Sequence, residues 1–134
     1  WHKLLRIQNQ TKKLQTTKKR DKMDKVTKNF YEAMENVLPQ LILSDYDYNR
    51  YRVAKSKKII PPFELLIELV DYIPSDIALA ALRAKEDYIN YGWEMDVYLY
   101  AIKKFDTEET KRLRQQRRKA ERAAKIAELG LDVD

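Results

Sequence analysis

The feature that most constrains this chain is the concentration of its apolar residues between positions 61 and 105. Two apolar series recur there at the three- and four-residue spacing of a helix. The first series is Ile89, Trp93, Val97, Tyr100, Ala101 and Phe105, and the second is Tyr91, Met95, Leu99 and Ile102. A helix that is apolar on two sides is typical of the centre of a bundle. The sequence therefore predicts one long helix over residues 75–105, or two helices joined near Gly92, with Trp93 buried.

Two further apolar segments predict helices that pack against this one. Residues 21–38 carry apolar side chains at helical spacing, and Pro39 limits the continuation of that helix. Residues 63–73 follow Pro62, whose fixed backbone suits the first turn of a helix. Ser75 is expected to cap the helix that comes next. These segments and residues 75–105 are predicted to form a small antiparallel core.

The segment 39–60 is the least regular part of the chain. Tyr46 and Tyr48 alternate with carboxylates, a pattern that indicates a short strand or an extended arm. The same stretch opens like a calcium-binding loop. Its sixth position is Arg50 and its twelfth is Ser56, where such loops have glycine and glutamate, so we reject a calcium site.

A capping signal precedes the C-terminal segment. Asp106 stands three residues before Glu109, a variant of the capping box, and predicts a helix over residues 111–129. Gly130 is a natural end for that helix. Taken together, the segments predict an all-α fold, a small irregular helical bundle of about five helices with long basic N- and C-terminal helical arms.

Charge divides the chain into three parts. Ten basic and two acidic side chains lie in residues 1–28, nine basic and fifteen acidic in residues 29–110, and eight basic and four acidic in residues 111–134. Cationic ends on an anionic middle indicate an anionic partner at each end. The predicted division is a basic N-terminal arm (1–22), a helical core (23–105) and a basic C-terminal helix (106–134).

The composition argues against catalysis. The chain has no cysteine, a single histidine (His2) and two glycines, so it offers neither a catalytic triad nor a glycine-rich phosphate loop. We therefore expect no enzyme activity, metal, cofactor or small-molecule substrate. No apolar run approaches the roughly 18 residues of a membrane span. The absence of cysteine fits a reducing compartment.

The strongest candidate for binding an anion is the stretch 111–125, in which eight of fifteen residues are basic and one is acidic. Like charges four residues apart oppose an isolated helix, so an anionic partner is favoured over a solvated helix with no partner. Arginine makes charge-assisted, bidentate contacts with phosphate. The predicted contact residues are Arg112, Arg114, Arg117, Arg118 and Arg122.

The N-terminal arm is a second and less specific candidate. Its predicted contact residues are Lys12, Lys13, Lys18, Lys19 and Arg20. Nucleic-acid contact and a solvated, partly disordered tail explain this pattern equally well. A basic amphipathic membrane helix is a third interpretation, for which Trp1, Leu4, Leu5 and Ile7 form only one apolar turn.

A cluster of tyrosines beside two arginines is the third candidate. Tyr46, Tyr48 and Tyr51 interleave with Arg50 and Arg52. Such a set can stack on unpaired bases, and both arginines are predicted to contact nucleic acid. The same composition is typical of a protein–protein anchor. Tyrosines that simply cover a small core are a further interpretation.

These observations predict a non-catalytic structural or assembly subunit of a large nucleoprotein particle, such as a virion or a ribosome. The core would dock on other protein subunits, and the arms would contact the RNA or DNA phosphate backbone and become ordered there rather than on the core. The alternative is a protein–protein assembly component, such as a viral connector, a scaffold or a helical oligomer, whose arms bind acidic surfaces of neighbouring subunits. The expected location is intracellular, inside a virus particle, or in an organelle matrix.

Overall fold

A computed structural model describes residues 23–130 of the chain. Six α-helices follow one another there, namely α1 (Lys25–Val37), α2 (Asp45–Ser56), α3 (Phe63–Leu69), α4 (Ser75–Ala84), α5 (Trp93–Phe105) and α6 (Glu108–Leu129). Short 3-10 turns follow three of them, at Leu38–Gln40, Val70–Tyr72 and Glu86–Tyr88. The described residues contain no strand, so the all-helical prediction is confirmed for this part of the chain.

Helix α1 begins where Asp24 caps it. The Asp24 Oδ1 atom accepts a hydrogen bond from the Thr27 amide at 2.8 Å, and Asp24 itself has an extended backbone. The helix ends at Val37, and Pro39 lies in the 3-10 turn that follows. The predicted range of 21–38 is therefore too long. Its buried face carries Thr27, Phe30, Tyr31, Ala33 and Met34.

Helix α2 occupies the segment for which the sequence predicted a short strand or an extended arm, and that prediction is wrong. The Ser44 Oγ atom accepts a hydrogen bond from the Asp47 amide at 3.0 Å and caps the helix. Asp45 and Asp47 then lie in the first turn, where carboxylates favour the helix dipole. Tyr51 and Ala54, three residues apart, are buried, so burial follows the helical period.

Helix α2 ends in a Schellman motif that has a lysine in the usual position of glycine. Lys58 has φ 61°, and the Ile59 amide donates to the Ala54 carbonyl at 3.1 Å. This left-handed backbone costs a residue with a side chain about 1–2 kcal/mol. The turn leads the chain into Ile60 and Pro61, which are both buried.

Residues predicted as one helix over 63–73 form α3 and then the 3-10 turn at Val70–Tyr72, with Pro62 at the cap position. Most of α3 faces inward, because its leucines are spaced for one helical face. Among residues 23–130, the largest fully buried side chains are Tyr51, Phe30, Met34, Leu65, Leu66, Leu69, Leu79, Leu82, Val70, Thr110 and Pro61. The core therefore draws on α1, α2, α3 and α4 together.

Helix α4 is the central helix of the described fold. Six of its ten residues are buried, and it packs against α1, α3, α5 and α6. Ala78 and Ala81 are fully buried there, and their small side chains let neighbouring helices approach closely. Ser75 does not cap the helix as predicted, since Pro74 holds the cap position and Ser75 is the first helical residue.

The single long helix over residues 75–105 does not form. The chain leaves α4 at Ala84, and Gly92 precedes α5 with φ 103° and ψ −139°, a backbone conformation that favours glycine. The Gly92 carbonyl accepts the first hydrogen bond of α5, from the Asp96 amide at 3.1 Å. The alternative prediction of two helices is confirmed, although their connection spans residues 85–92 and Gly92 is only its last residue.

Trp93 is 59% exposed, so its predicted burial is wrong. Helix α5 buries only Tyr98 and Ala101. The Tyr98 hydroxyl donates to Glu86 Oε1 at 3.1 Å, which fastens α5 to the segment before it. One apolar side of α5 therefore packs on the molecule, and the other faces solvent because no described element covers it.

Candidate nucleic-acid interface

Helix α6 carries the basic stretch, and its start is fixed to the core. Thr107 caps the helix, because its Oγ1 accepts a hydrogen bond from the Thr110 amide at 3.2 Å. Asp106, the predicted cap, instead ends α5. Thr110 is buried, and its hydroxyl donates to the Ser75 hydroxyl at 2.7 Å. Gly130 closes α6 with φ 70°, as predicted.

Arg117 ties the middle of α6 to α4. Its Nε lies 2.6 Å from Asp76 Oδ2, and its Nη2 lies 3.2 Å from Asp76 Oδ1. The Asp76 side chain is only 4% exposed, while that of Arg117 is 35% exposed. The hydrogen bonds to Asp76 raise the pKa of Arg117 above its ordinary value. Arg117 therefore serves the fold, although the sequence predicted a contact with nucleic acid.

A cleft of about 140 Å³ lies between α1, α4 and α6. Its lining includes the apolar residues Val26, Ile77 and Ala80, and also Lys25 of α1 and Glu121 of α6, which form an ion pair. The first half of α6 thus packs on the core. The sequence predicted instead that this arm becomes ordered on an external partner.

A row of five cations runs along one face of α6, and we call it the cationic stripe. Its members are Lys111, Arg114, Arg118, Arg122 and Lys125. They are spaced by three or four residues, which places them on one face of a helix. Arg114 is half-buried beside the cleft, and the other four are exposed.

Few carboxylates of the described chain neutralise the positive charge of the cationic stripe. Lys111 pairs with Glu108 at 3.4 Å within the first turn. The other four members form no ion pair with a carboxylate of residues 23–130. Four neighbouring cations without such a partner create a positive potential that attracts an anion.

Two of the predicted contact residues, Arg112 and Arg50, bind carboxylates of the chain itself. Arg112 bonds to the Glu109 carboxylate through Nε at 3.1 Å and also through Nη2, which holds the pKa of Glu109 below its ordinary value. Arg50 is half-buried, bonds to Asp47 at 2.9 Å and lies over the Tyr46 ring at 4.6 Å. Neither guanidinium is presented with the stripe.

The remaining predicted contacts divide into one exposed arginine and five residues outside the described chain. Arg52 is exposed on α2, with its guanidinium 5.9 Å from the centre of the Tyr48 ring. It does not lie on α6, so it does not extend the stripe. Lys12, Lys13, Lys18, Lys19 and Arg20 lie outside residues 23–130, and their contacts stay a prediction.

Sequence reasoning missed three residues that matter here. Lys111 and Lys125 belong to the stripe, and their spacing from Arg118 was a usable signal. Asp76 carried no such signal, because a carboxylate in a first helical turn is ordinarily explained by the helix dipole. Only the packing of α4 against α6 shows that Asp76 binds an arginine forty-one residues away.

No group of three or more histidine, cysteine, aspartate or glutamate side chains in residues 23–130 is placed to hold a metal ion. Across the same range, no helix has both the length and the apolar character needed to cross a bilayer. What the described residues offer chemically is a row of cations along α6.

Comparison with protein-family models, with curated proteins and with solved structures finds no match to this chain. The charges and contacts of its own residues are therefore the basis for a functional proposal.

Proposed function

We propose that this chain is a non-catalytic subunit of a large nucleoprotein assembly, such as a virion or a ribosome. Its helical core docks on neighbouring protein subunits. The cationic stripe of α6 binds the phosphate backbone of RNA or DNA. In this proposal residues 106–134 act as the basic C-terminal arm, and residues 1–22 act as a second basic arm on the same polyanion.

The proposal depends on a difference among the arginines of α6, since some pair with carboxylates of the chain and others do not. Arg112 and Arg117 are bound to carboxylates of the chain itself, at Glu109 and Asp76. Arg118 and Arg122 are exposed and have no carboxylate partner within residues 23–130. A helix fixed to the core by one set of cations and presenting another to solvent suits the binding of an extended anion.

The dimensions of the stripe agree with a phosphate backbone. Fourteen residues separate Lys111 from Lys125, and a rise of 1.5 Å per residue gives a row about 21 Å long. Duplex nucleic acid carries one negative charge per about 1.7 Å of axis, so each cation of the stripe can meet a different phosphate. Arginine adds bidentate geometry to these contacts. The contacts lack base readout, so binding should be largely independent of sequence.

Direct binding measurements test the proposal. The full chain is titrated into labelled single-stranded RNA and into labelled duplex DNA at several salt concentrations between about 50 and 200 mM. If the five cations of the stripe each neutralise one phosphate, the logarithm of the association constant falls against the logarithm of salt with a slope of about −4.5 on duplex DNA and about −3.5 on single-stranded RNA. Contacts of the N-terminal arm would make both slopes steeper. Binding that is absent at 50 mM salt, or that does not depend on salt, contradicts the proposal.

A second function, that of a protein–protein assembly component, is favoured by one feature. Tyr91, Trp93 and Tyr100 are exposed on or just before α5. Large aromatic side chains in contact with water are typical of protein-docking surfaces. If nucleic acid is not bound, this surface and the basic helix would together serve protein assembly alone.

A further inference from the structure

The segment that ends in α5 exposes an unusual number of large side chains. Tyr91 is 90% exposed, and Tyr88, Trp93, Leu99 and Tyr100 are each more than half exposed. Trp93 and Tyr100 are seven residues apart, which places them two turns apart on one face of α5. Exposed large apolar side chains that are concentrated in one segment mark a candidate interaction site.

Carboxylates share this segment with the aromatic side chains. Residues 86–96 contain four acidic side chains and no basic one, namely Glu86, Asp87, Glu94 and Asp96. None of the four forms an ion pair with a cation of residues 23–130. We call residues 86–100 the acidic aromatic face.

Few cations lie near the acidic aromatic face, and some of them already contact other groups of the chain. Arg83 pairs with Asp106 at 3.4 Å, and Lys85 lies 5.4 Å from the centre of the Tyr88 ring. Burial lowers the pKa of Lys85. Lys103 is exposed one turn beyond the face. The face therefore combines apolar surface with uncompensated negative charge, and it repels phosphate rather than binding it.

The distal part of α6 has the complementary character. Beyond Arg117 an ion pair of Glu121 with Lys25 links it to α1. Arg118, Arg122 and Lys125 are exposed there. Ile126 is 38% and Leu129 is 57% exposed, so this part also presents apolar side chains that a phosphate backbone cannot cover.

We propose that the acidic aromatic face binds the distal α6 segment of a second copy of this chain. Arg118 and Arg122 would lie against Asp87 and Asp96, and the arginine stems would cover aromatic rings. Ile126 and Leu129 of the second copy would supply apolar contact. Charge complementarity and apolar character on both surfaces select this occupant over a nucleic acid.

The proposed contact joins two different surfaces of one chain. Such an interface is heterologous, so it either closes into a ring, forms an open row, or occurs twice in a reciprocal dimer. Nucleic acid would compete for the same cations, so its binding is expected to release the self-association. Self-association is therefore measured with chain that has been freed of nucleic acid. Its absence would contradict the self-association alone and would leave the proposed nucleic-acid binding unaffected.

Two charge-reversal variants of the full chain test the contact. One is Asp87→Lys with Asp96→Lys on the face, and the other is Arg118→Glu with Arg122→Glu on α6. Sedimentation equilibrium is expected to show self-association of the wild type, and each variant alone should associate at least tenfold more weakly. When the two variants are mixed, the reversed charges face each other and association between them should return.

The mixed sample also shows that both variants fold, because unfolded chains would not restore a specific contact. A matched control reverses two exposed acids on other helices, Asp45→Lys with Glu68→Lys, and should associate like the wild type. The proposal is overturned if the wild type is monomeric at about 1 mM, where even weak contacts are populated. It is equally overturned if the mixture fails to associate more strongly than either variant alone.

Discussion

The Arg117 guanidinium binds both carboxylate oxygens of Asp76, at 2.6 and 3.2 Å, and this bidentate ion pair joins α6 to the central helix α4. It changes how the basic stretch is understood. Arg117 is one of the basic residues of α6, but its charge pairs with the buried Asp76 carboxylate and is not available to an external anion. The same contact sets the rotation of α6, and so determines which cations face solvent.

Breaking this ion pair should destabilise the fold. Replacing Arg117 with alanine leaves the buried Asp76 carboxylate without its partner, and we expect a loss of about 3 kcal/mol in the free energy of unfolding. The value lies at the low end for a buried pair because a third of the Arg117 side chain is exposed. A double-mutant cycle with Asp76→Ala should give a coupling energy above about 1 kcal/mol.

A matched exposed pair provides the control for that cycle. Arg83 and Asp106 are 3.4 Å apart, and their side chains are 47% and 41% exposed. Their coupling energy should stay below about 1 kcal/mol, as for other surface ion pairs. Equal coupling in the two cycles would show that Arg117 and Asp76 are not a buried structural pair.

Trp93→Ala should have little effect on stability. The side chain is more than half exposed, so its removal should lower the free energy of unfolding by less than about 1 kcal/mol. Leu82→Ala, at a fully buried position of α4, should cost about 2–5 kcal/mol. Denaturant unfolding of both variants compares them directly. A loss above 3 kcal/mol for Trp93→Ala would mean that the indole is packed in a core.

Alkaline pH should unfold the chain through its buried tyrosines. Burial raises the pKa of Tyr98 to about 12, and burial also raises the pKa of Tyr31 and Tyr51. A phenol whose pKa is higher in the folded state stabilises the fold fully below about pH 10, the value in an unfolded chain. That stabilisation is lost progressively as the pH rises above 10.

Tyrosinate absorbance measures this effect. Three of the nine tyrosines are buried, so about a third of the tyrosinate signal should appear only as the far-ultraviolet helical signal is lost. In denaturant the whole signal should develop together. If all nine tyrosines of the native chain ionise in one step without loss of helix, then Tyr31, Tyr51 and Tyr98 are open to water.

Sequence patterns predicted the helix type well where apolar spacing was regular. The helix before Pro39, the start of a helix after Pro62 and the end of α6 at Gly130 all followed from local rules. Helix α2 did not, because alternating tyrosine and aspartate imitates a strand. The cap that decides the matter is a single hydroxyl at Ser44, which is not distinguishable from a loop serine by composition.

The site was harder to predict than the fold. Periodicity showed that α5 has two apolar sides but not that one of them is uncovered, since exposure of Trp93 depends on where the other helices pack. Likewise, the basic count of α6 treats Arg117 and Arg118 alike. Their roles differ because Arg117 binds Asp76, whereas Arg118 lies on the cationic stripe. Only the tertiary structure shows this difference.

The most direct test of the account compares the salt dependence of nucleic-acid binding between two matched double variants. Arg118→Gln with Arg122→Gln removes two cations from the stripe, and Lys28→Gln with Lys57→Gln removes two exposed cations elsewhere. We predict that the slope of the logarithm of the association constant against the logarithm of salt becomes less steep by about 2 in the first variant. The second variant should keep the wild-type slope. Equal slopes in all three proteins, or an equal change in both variants, would contradict a phosphate-binding stripe on α6.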